Sequence, residues 1–279
     1  MIRIFSDLHY GDRATSLKSL PSLFPLFEGA SELILNGDTL DTRYGPYAAV
    51  TEAARAEITG FFIKSAPPTT FITGNHDPDI SEVHSLEIAD RRVFVTHGDI
   101  LFENLVPWGR DSKVLHQRIV AELVKLPAAQ RENLRRQLIA YRTAASSIPQ
   151  RHQSEQNPWK YAMGFAADTI WPPLRILRVF QAWKETPARA ANLLQRHGLI
   201  AKVMVMGHTH RFGATRVANG TIVINTGSFC PPTGAGVVDV STSRVVLRSV
   251  VRHGKEFRLG PVMAEFALAR VPAPETLQS

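Results

Sequence analysis

Five short clusters hold the side chains of this sequence that could do chemistry. They are Asp7-Leu8-His9, Gly37-Asp38-Thr39-Leu40-Asp41, Gly74-Asn75-His76-Asp77, His97-Gly98-Asp99 and Gly207-His208-Thr209-His210. They offer carboxylate, imidazole and amide donors and no thiol. Such donors suit hard to borderline divalent cations: manganese, iron, zinc or nickel. The i, i+2 spacing of Asp7/His9 and of His208/His210 puts both members of each pair on one side of an extended segment. Each pair can therefore face one cation or two adjacent ones. Glycines before Asp38, Asn75 and His208, and after His97, permit tight turns and close backbone approach. A shared carboxylate can hold two cations about 3.5–4 Å apart, and water between them loses a proton near neutral pH. The product is a nucleophile, with neighbouring cations to neutralise phosphoryl oxygens. Neither a G-x-S-x-G elbow nor a Walker loop points elsewhere.

Each cluster falls where a short apolar run ends. Ile2–Ser6, Glu32–Asn36, Thr69–Thr73 and Val93–Thr96 read as strands, with helical stretches over Leu17–Glu28 (interrupted at Pro21 and Pro25) and Ala48–Lys64. Repeated strand–helix–strand units imply a layered α/β sheet. Ligands of open α/β sheets bind beyond the carboxyl ends of the strands, so loops at one edge can bring the five clusters together. After Ile100 the pattern changes. Asp111–Leu126, Ala128–Ser146, Trp159–Ile170 and Leu174–Arg196 read as helices, punctuated by Pro149, Pro158 and Pro172-Pro173. Strands return over Lys202–Met206, Thr221–Thr226, Gly236–Val240 and Arg244–Val251. The expected organisation is a core of residues 1–100 and 200–260, an all-helical insertion over 101–199, and a tail over 261–279 with a short helix around Ala264–Arg270.

Hydrophobic residues make up 44% of the chain, enough for a sizeable core, and the single Cys230 excludes an internal disulfide framework. The N-terminus reads as lacking a signal peptide, and no apolar stretch reaches the roughly 18–20 residues of a membrane span. A cytoplasmic protein, at most peripheral to a membrane, is expected. The net charge of +7 is concentrated: Glu103–Leu199 carries 15 Lys/Arg and 7 Asp/Glu, a difference of +8. A cationic block favours anionic partners, namely phosphorylated substrates, an acidic membrane surface or, less favoured, nucleic acid.

The ordered set of clusters resembles the calcineurin-like metallophosphoesterase superfamily, with its D-x-H, GD-x-x-D, GNH[DE], H-G and GH-x-H motifs. The resemblance implies a β-sandwich flanked by helices (αββα), two divalent metal ions per chain with manganese the first choice, and hydrolysis of a phosphoester or pyrophosphate by a metal-bridged hydroxide. It implies one metal on Asp7, His9, Asp38 and His210, and a second on Asp38, Asn75, His97 and His208. Asp38 would bridge them. His76 would stand over the phosphate as proton donor, with Asp77 or Asp41 orienting neighbours. Arg211 follows the last cluster and could clamp a second phosphate. His84, His116, His152, His197 and His253 fall outside the clusters and read as surface, cap or packing residues.

The helical block leaves and re-enters the chain next to metal motifs, as a lid would. It carries Phe102, Leu105, Trp108, Trp159, Tyr161, Phe165, Trp171, Phe180 and Trp183, read first as the small core of a subdomain and second as an apolar groove under a basic rim. This layout and the run Gly207–Arg211 resemble the UDP-2,3-diacylglucosamine pyrophosphohydrolases, which implies a nucleotide- or lipid-linked pyrophosphate substrate. The chain departs from that branch at His76, where the branch carries arginine, and in its longer lid. Two further readings stand beside hydrolysis of a small or lipid-linked phosphate. One is a nuclease using the basic block. The other is a metal-binding scaffold without turnover, which should show gaps in the ligand set; here every position is filled.

Overall fold

The computed structural model describes residues 1–151, 155, 157–169 and 174–268. His152, Ile170, Trp171, Pro172-Pro173 and the chain beyond Leu268 lie outside them. Among the described residues, eleven strands form two sheets. The first contains β1 (Ile2–Phe5), β2 (Glu32–Asn36), β3 (Thr69–Ile72), β9 (Gly236–Val240), β10 (Arg244–His253) and β11 (Glu256–Ala267), in the order β11-β10-β9-β1-β2-β3. The second contains β4 (Ser85–Ile88), β5 (Val93–Thr96), β6 (Val203–Met206), β7 (Gly213–Arg216) and β8 (Ile222–Asn225), in the order β4-β5-β6-β8-β7. β1, β2 and β3 pair in parallel, as do β5, β6 and β8.

Side-chain alternation explains why the sheets stack. Ile4, Ile34 and Ile72 point from the first sheet onto Val93, Val95, Val203, Val205, Ile222 and Ile224 of the second. The opposite face of the first sheet, with Phe5, Leu33 and Leu35, packs on Ile58 and Phe62 of α1 (Ala48–Ser65) and on the 3-10 turn Leu20–Leu26. The outer face of the second sheet, with Phe94, Met204, Met206 and Val223, packs on Ala182, Ala190 and Leu194 of α5 (Leu174–Arg196). The result is helix, sheet, sheet, helix. Strands buried on both faces read as unbroken apolar runs, which is why they are legible in the sequence.

The described residues between Thr96 and Val203 hold no strand. They form α2 (Ser112–Lys125), α3 (Leu134–Ser146), α4 (Pro158–Thr169) and α5. The single helix expected over Ala128–Ser146 is a 3-10 turn at Ala128–Gln130 and then α3, because the Asn133 side chain accepts from the Arg136 N–H and starts a new helix there. Among the described residues, the core of this block is Leu105, Leu115, Ile119, Leu138, Tyr141 and Ala144, while Trp108 packs against the cluster around Phe102. Trp159 is 81% exposed, Trp183 donates to the Thr209 carbonyl, and Trp108 packs near His208.

The expected helix at Ala264–Arg270 is absent from its described part, because Ala264–Ala267 completes β11. The sheet therefore runs past residue 260, into the segment expected to be tail. Gly260-Pro261 hides the alternation of Phe257, Leu259, Ala264 and Phe266. Proline is tolerated there because β11 is an edge strand and β10 shifts register opposite it.

Asp99, which follows β5, pairs with Arg142 of α3, and both are buried. Removing one partner of a buried pair leaves an uncompensated charge, a loss of about 3–5 kcal/mol. Arg142→Met is expected to lower Tm by roughly 10 °C. Asp99→Asn/Arg142→Met should recover much of that loss. Calorimetry showing equal losses in single and double variants would rule the pair out as a fastening.

Candidate metal centre

Every cluster sits just past the carboxyl end of a parallel strand: Asp7 after β1, Asp38 after β2, Asn75 after β3, His97 after β5 and His208 after β6. Asn36 Nδ2 ties the first sheet to the second at this edge, donating 2.9 Å to the Thr96 carbonyl. Within each sheet the loops are tied to their neighbours: the Gly207 N–H donates 2.9 Å to the His97 carbonyl, and the Asp7 N–H donates 3.0 Å to the Gly37 carbonyl.

The side chains converge. His210 Nε2 lies 3.0 Å from Asp7 Oδ1 and 3.3 Å from His9 Nε2, which is 3.8 Å from Asp7 Oδ1. On the other side, His97 Nε2 lies 3.3 Å from both Asp38 Oδ2 and Asn75 Oδ1. His208 Nδ1 is 2.9 Å from Asn75 Oδ1. Asp38 Oδ2 stands between the halves, 4.0 Å from His9 Nε2. Asp7/His9/His210 and Asp7/Asp38/His97 each present three ligand atoms within 4.8 Å of one another. All seven predicted ligands are brought together.

The backbone is bent to achieve this. Asp7, His9, Asp38, His208 and His210 all have positive φ, between 46° and 66°. Few non-glycine residues adopt this region, and such strain collects at functional sites. Glycines give the room: a Cβ on Gly74 would fall under 3.0 Å from Asp38 Oδ1, and one on Gly207 under 3.0 Å from Asp7 Oδ2.

Protonation fits a cation. His97 Nδ1 is 3.0 Å from the Asn36 carbonyl and His208 Nε2 is 2.9 Å from the Leu105 carbonyl. If each ring donates to its carbonyl, Nε2 of His97 and Nδ1 of His208 are left as lone pairs aimed at Asn75 Oδ1. Burial, with His97 beside it, pulls His208 down to about 4, and burial does the same at His9. A neutral imidazole has one proton, so the cluster holds more acceptors than protons to satisfy them. A divalent cation resolves that surplus, and carboxylate, imidazole and amide donors suit it. His97 is the exception: burial opposes its charge, but Asp38, Asp7 and Asp99 together hold it above its ordinary value, so its Nε2 offers a lone pair only where a cation takes the place of the proton.

The three other predicted site residues have distinct places. Asp77 is a buried clamp, accepting from the N–H groups of Gly74, Asp38 and Thr39 at 2.7, 2.9 and 2.7 Å. Burial and nearby Asp38 raise it to about 7. Asp41 Oδ2 lies 2.9 Å from His76 Nδ1. His76 stacks edge-on against His9 at 5.3 Å. Burial and Arg43 act to lower its pKa, but Asp38 and Asp41 hold it above the usual value. Arg211 is turned toward α5 instead: its Nη1 donates 3.0 Å to the Trp183 carbonyl, and its guanidinium sits 6.0 Å from that ring.

Several participants escape sequence reasoning. Arg43 Nε and Nη2 hold Asp41 at 2.9 and 2.5 Å, and Nη2 is 2.8 Å from His76 Nδ1. Its i, i+2 spacing from Asp41 is the available signal. Ser6 bonds Asp7 and lies 2.5 Å from Thr226 Oγ1. The helical block touches four of the five loops: Tyr161 bonds Asp12, Gln150 Nε2 donates 2.7 Å to the Asp41 carbonyl, Arg142 pairs with Asp99, and Leu105 and Trp183 reach His208 and Thr209.

A search of curated proteins gave no match. Among solved structures, the chain is similar to vacuolar protein sorting 29 from Cryptosporidium parvum (12% identity, 96% of this chain and 97% of that one, TM-score 0.44) and to a dimetal phosphatase from Danio rerio (12% identity, 94% and 98%, TM-score 0.43). A predicted phosphoesterase from Streptococcus pneumoniae is similar at 13% identity, over 96% and 97%, with a TM-score of 0.42. These likenesses are too distant to transfer an activity. A family model is decisive: residues 1–212 match that of the calcineurin-like phosphoesterases, and the chain belongs to that family.

Proposed function

We propose that the chain hydrolyses a phosphoester or phosphoanhydride bond with two divalent cations, manganese the first choice. Asp7, His9, Asp38 and His210 would hold one, and Asp38, Asn75, His97 and His208 the other. The cations would supply Lewis acidity toward phosphoryl oxygens and lower the pKa of water. The observation that carries this reading is the convergence of seven ligand side chains, Asp38 among them, from five strand ends.

The chain's own residues account for the rest. Asp38 Oδ1 accepts 2.8 Å from the His76 N–H, which fixes the third loop against the bridging carboxylate. Asp41, itself gripped by Arg43, holds His76 Nδ1, so the Nε2–H is the atom free to donate to a phosphoryl or leaving-group oxygen. Phe102 and Trp108 cover His208 at ring distances of 5.9 and 5.5 Å and limit water on that side. The excess of Lys and Arg in the helical block favours an anionic substrate, with nucleotide- and lipid-linked pyrophosphates as the first candidates.

Turnover of a phosphomonoester, a phosphodiester and a UDP-sugar lipid should vanish on chelation and return with Mn²⁺. Chelation without effect would defeat the proposal. His76→Asn should lower kcat by about 10²–10⁴ while metal content is unchanged. An unaltered kcat would remove His76 from the reaction.

A further inference from the structure

The exposed residues of α4 are the wrong kind for a helix facing only water. Trp159 is 81% and Met163 65% exposed, and Ala162 and Ala166 are exposed beside them. The spacing 159, 162, 163, 166 is one helical face. α5 begins the same way: Leu174 is 63%, Leu177 62% and Phe180 55% exposed. The two helices are joined where Arg175 Nη1 donates 2.8 Å to the Ala167 carbonyl. Elsewhere α5 is conventional, with Ala182, Ala190, Ala191 and Leu194 buried. Its unburied apolar part is therefore confined to the end next to α4.

The charged residues along these helices are mostly basic. Lys160, Arg178 and Lys184 are exposed on the same two helices. Between Asn157 and Lys184 the sequence carries four basic residues, Lys160, Arg175, Arg178 and Lys184, against one acidic residue, Asp168. An apolar face bearing an exposed tryptophan, flanked by Lys and Arg, matches a helix lying in the interface of an anionic bilayer. A protein partner would need an apolar groove with an acidic border. A bilayer surface supplies both features without shape matching.

We propose that α4 and the first half of α5 dock this protein on anionic phospholipid bilayers. Tyr161 of α4 bonds Asp12 and Trp183 of α5 bonds the Thr209 carbonyl, so the docking helices are the ones tied to the first and fifth metal loops. Docking involves no metal ligand and does not depend on the proposed hydrolytic activity.

The test is co-sedimentation of the full chain with vesicles of phosphatidylcholine alone and of phosphatidylcholine mixed with phosphatidylglycerol. Wild type should pellet with the mixed vesicles and release as salt rises. Trp159→Ala/Leu177→Ala should weaken the apparent partition coefficient about tenfold or more. Lys160→Glu/Arg178→Glu/Lys184→Glu should weaken it comparably. Both variants should keep the wild-type Tm, because every substituted side chain is exposed, and the apolar variant should keep turnover of a soluble phosphoester. Absence of binding to mixed vesicles, or equal binding by the apolar variant, overturns the proposal. It is equally overturned if light scattering shows a wild-type dimer that the apolar variant dissociates without any vesicle binding, since the patch would then be an interface between copies of this chain.

Discussion

Asp38→Asn should lower turnover by on the order of 10³ or more while the fold stays intact. Losing one preorganised electrostatic contact in an active site already costs about 10²–10³, and Asp38 serves both halves of the centre. Its Oδ2 is 3.3 Å from His97 Nε2 and 4.0 Å from His9 Nε2, and its Oδ1 receives the His76 N–H. Asparagine keeps the shape and removes the charge. It also removes the carboxylate that helps to raise Asp77 and opposes the lowering of Asp7, so folding is spared one buried repulsion. Metal content by plasma emission, circular dichroism and kcat should be measured on one preparation. Native spectra with reduced metal and lost turnover are expected. Full metal occupancy with wild-type kcat would mean that Asp38 does not bridge.

The second large effect is expected where no side chain exists. Gly207→Ala should cost about 1–3 kcal/mol of stability through overpacking. Turnover should fall about 10²-fold as Asp7 is displaced, the scale of a 1 Å misplacement. The new methyl would meet Asp7 Oδ2 and Ser6 at under 3.0 Å. The backbone cannot yield easily, because the Gly207 N–H is bonded to the His97 carbonyl and its own carbonyl receives Asn225 Nδ2 at 2.7 Å. Gly198→Ala is the control. Gly198 follows α5 at φ 60°, and a methyl added there meets nothing within 4 Å, so the variant should lose about 1 kcal/mol and no turnover. Equal kinetics for the two variants would show that Gly207 matters only to folding.

The metal ligands are legible in the sequence because each lies in a short contiguous motif at the end of a wholly apolar strand. Motif and strand each mark the other. The helical block is legible from the change of period after Ile100. What escapes is of two kinds. Leu105 and Asn36 act through backbone carbonyls, which every residue has, so no residue type can flag them. Arg43 is a polar residue in a polar turn, and only the approach of the β3 loop turns it into a partner of His76. β11 is hidden by a proline that an edge strand accommodates, and alanine-rich Ala264–Ala267 has the local character of a helix that pairing with β10 overrides. Arg211 adjoins the last metal cluster in sequence, but α5 captures it first.

The carbonyl of Leu105 has a consequence for how small this protein could be made. It belongs to the stretch between β5 and β6, outside both sheets, yet it sets which nitrogen of the His208 ring carries hydrogen. Trimming the chain to its two sheets would keep the His208 side chain and leave its tautomer unset. The shortest version of this chain that keeps the centre as described therefore has to retain the peptide that passes over His208.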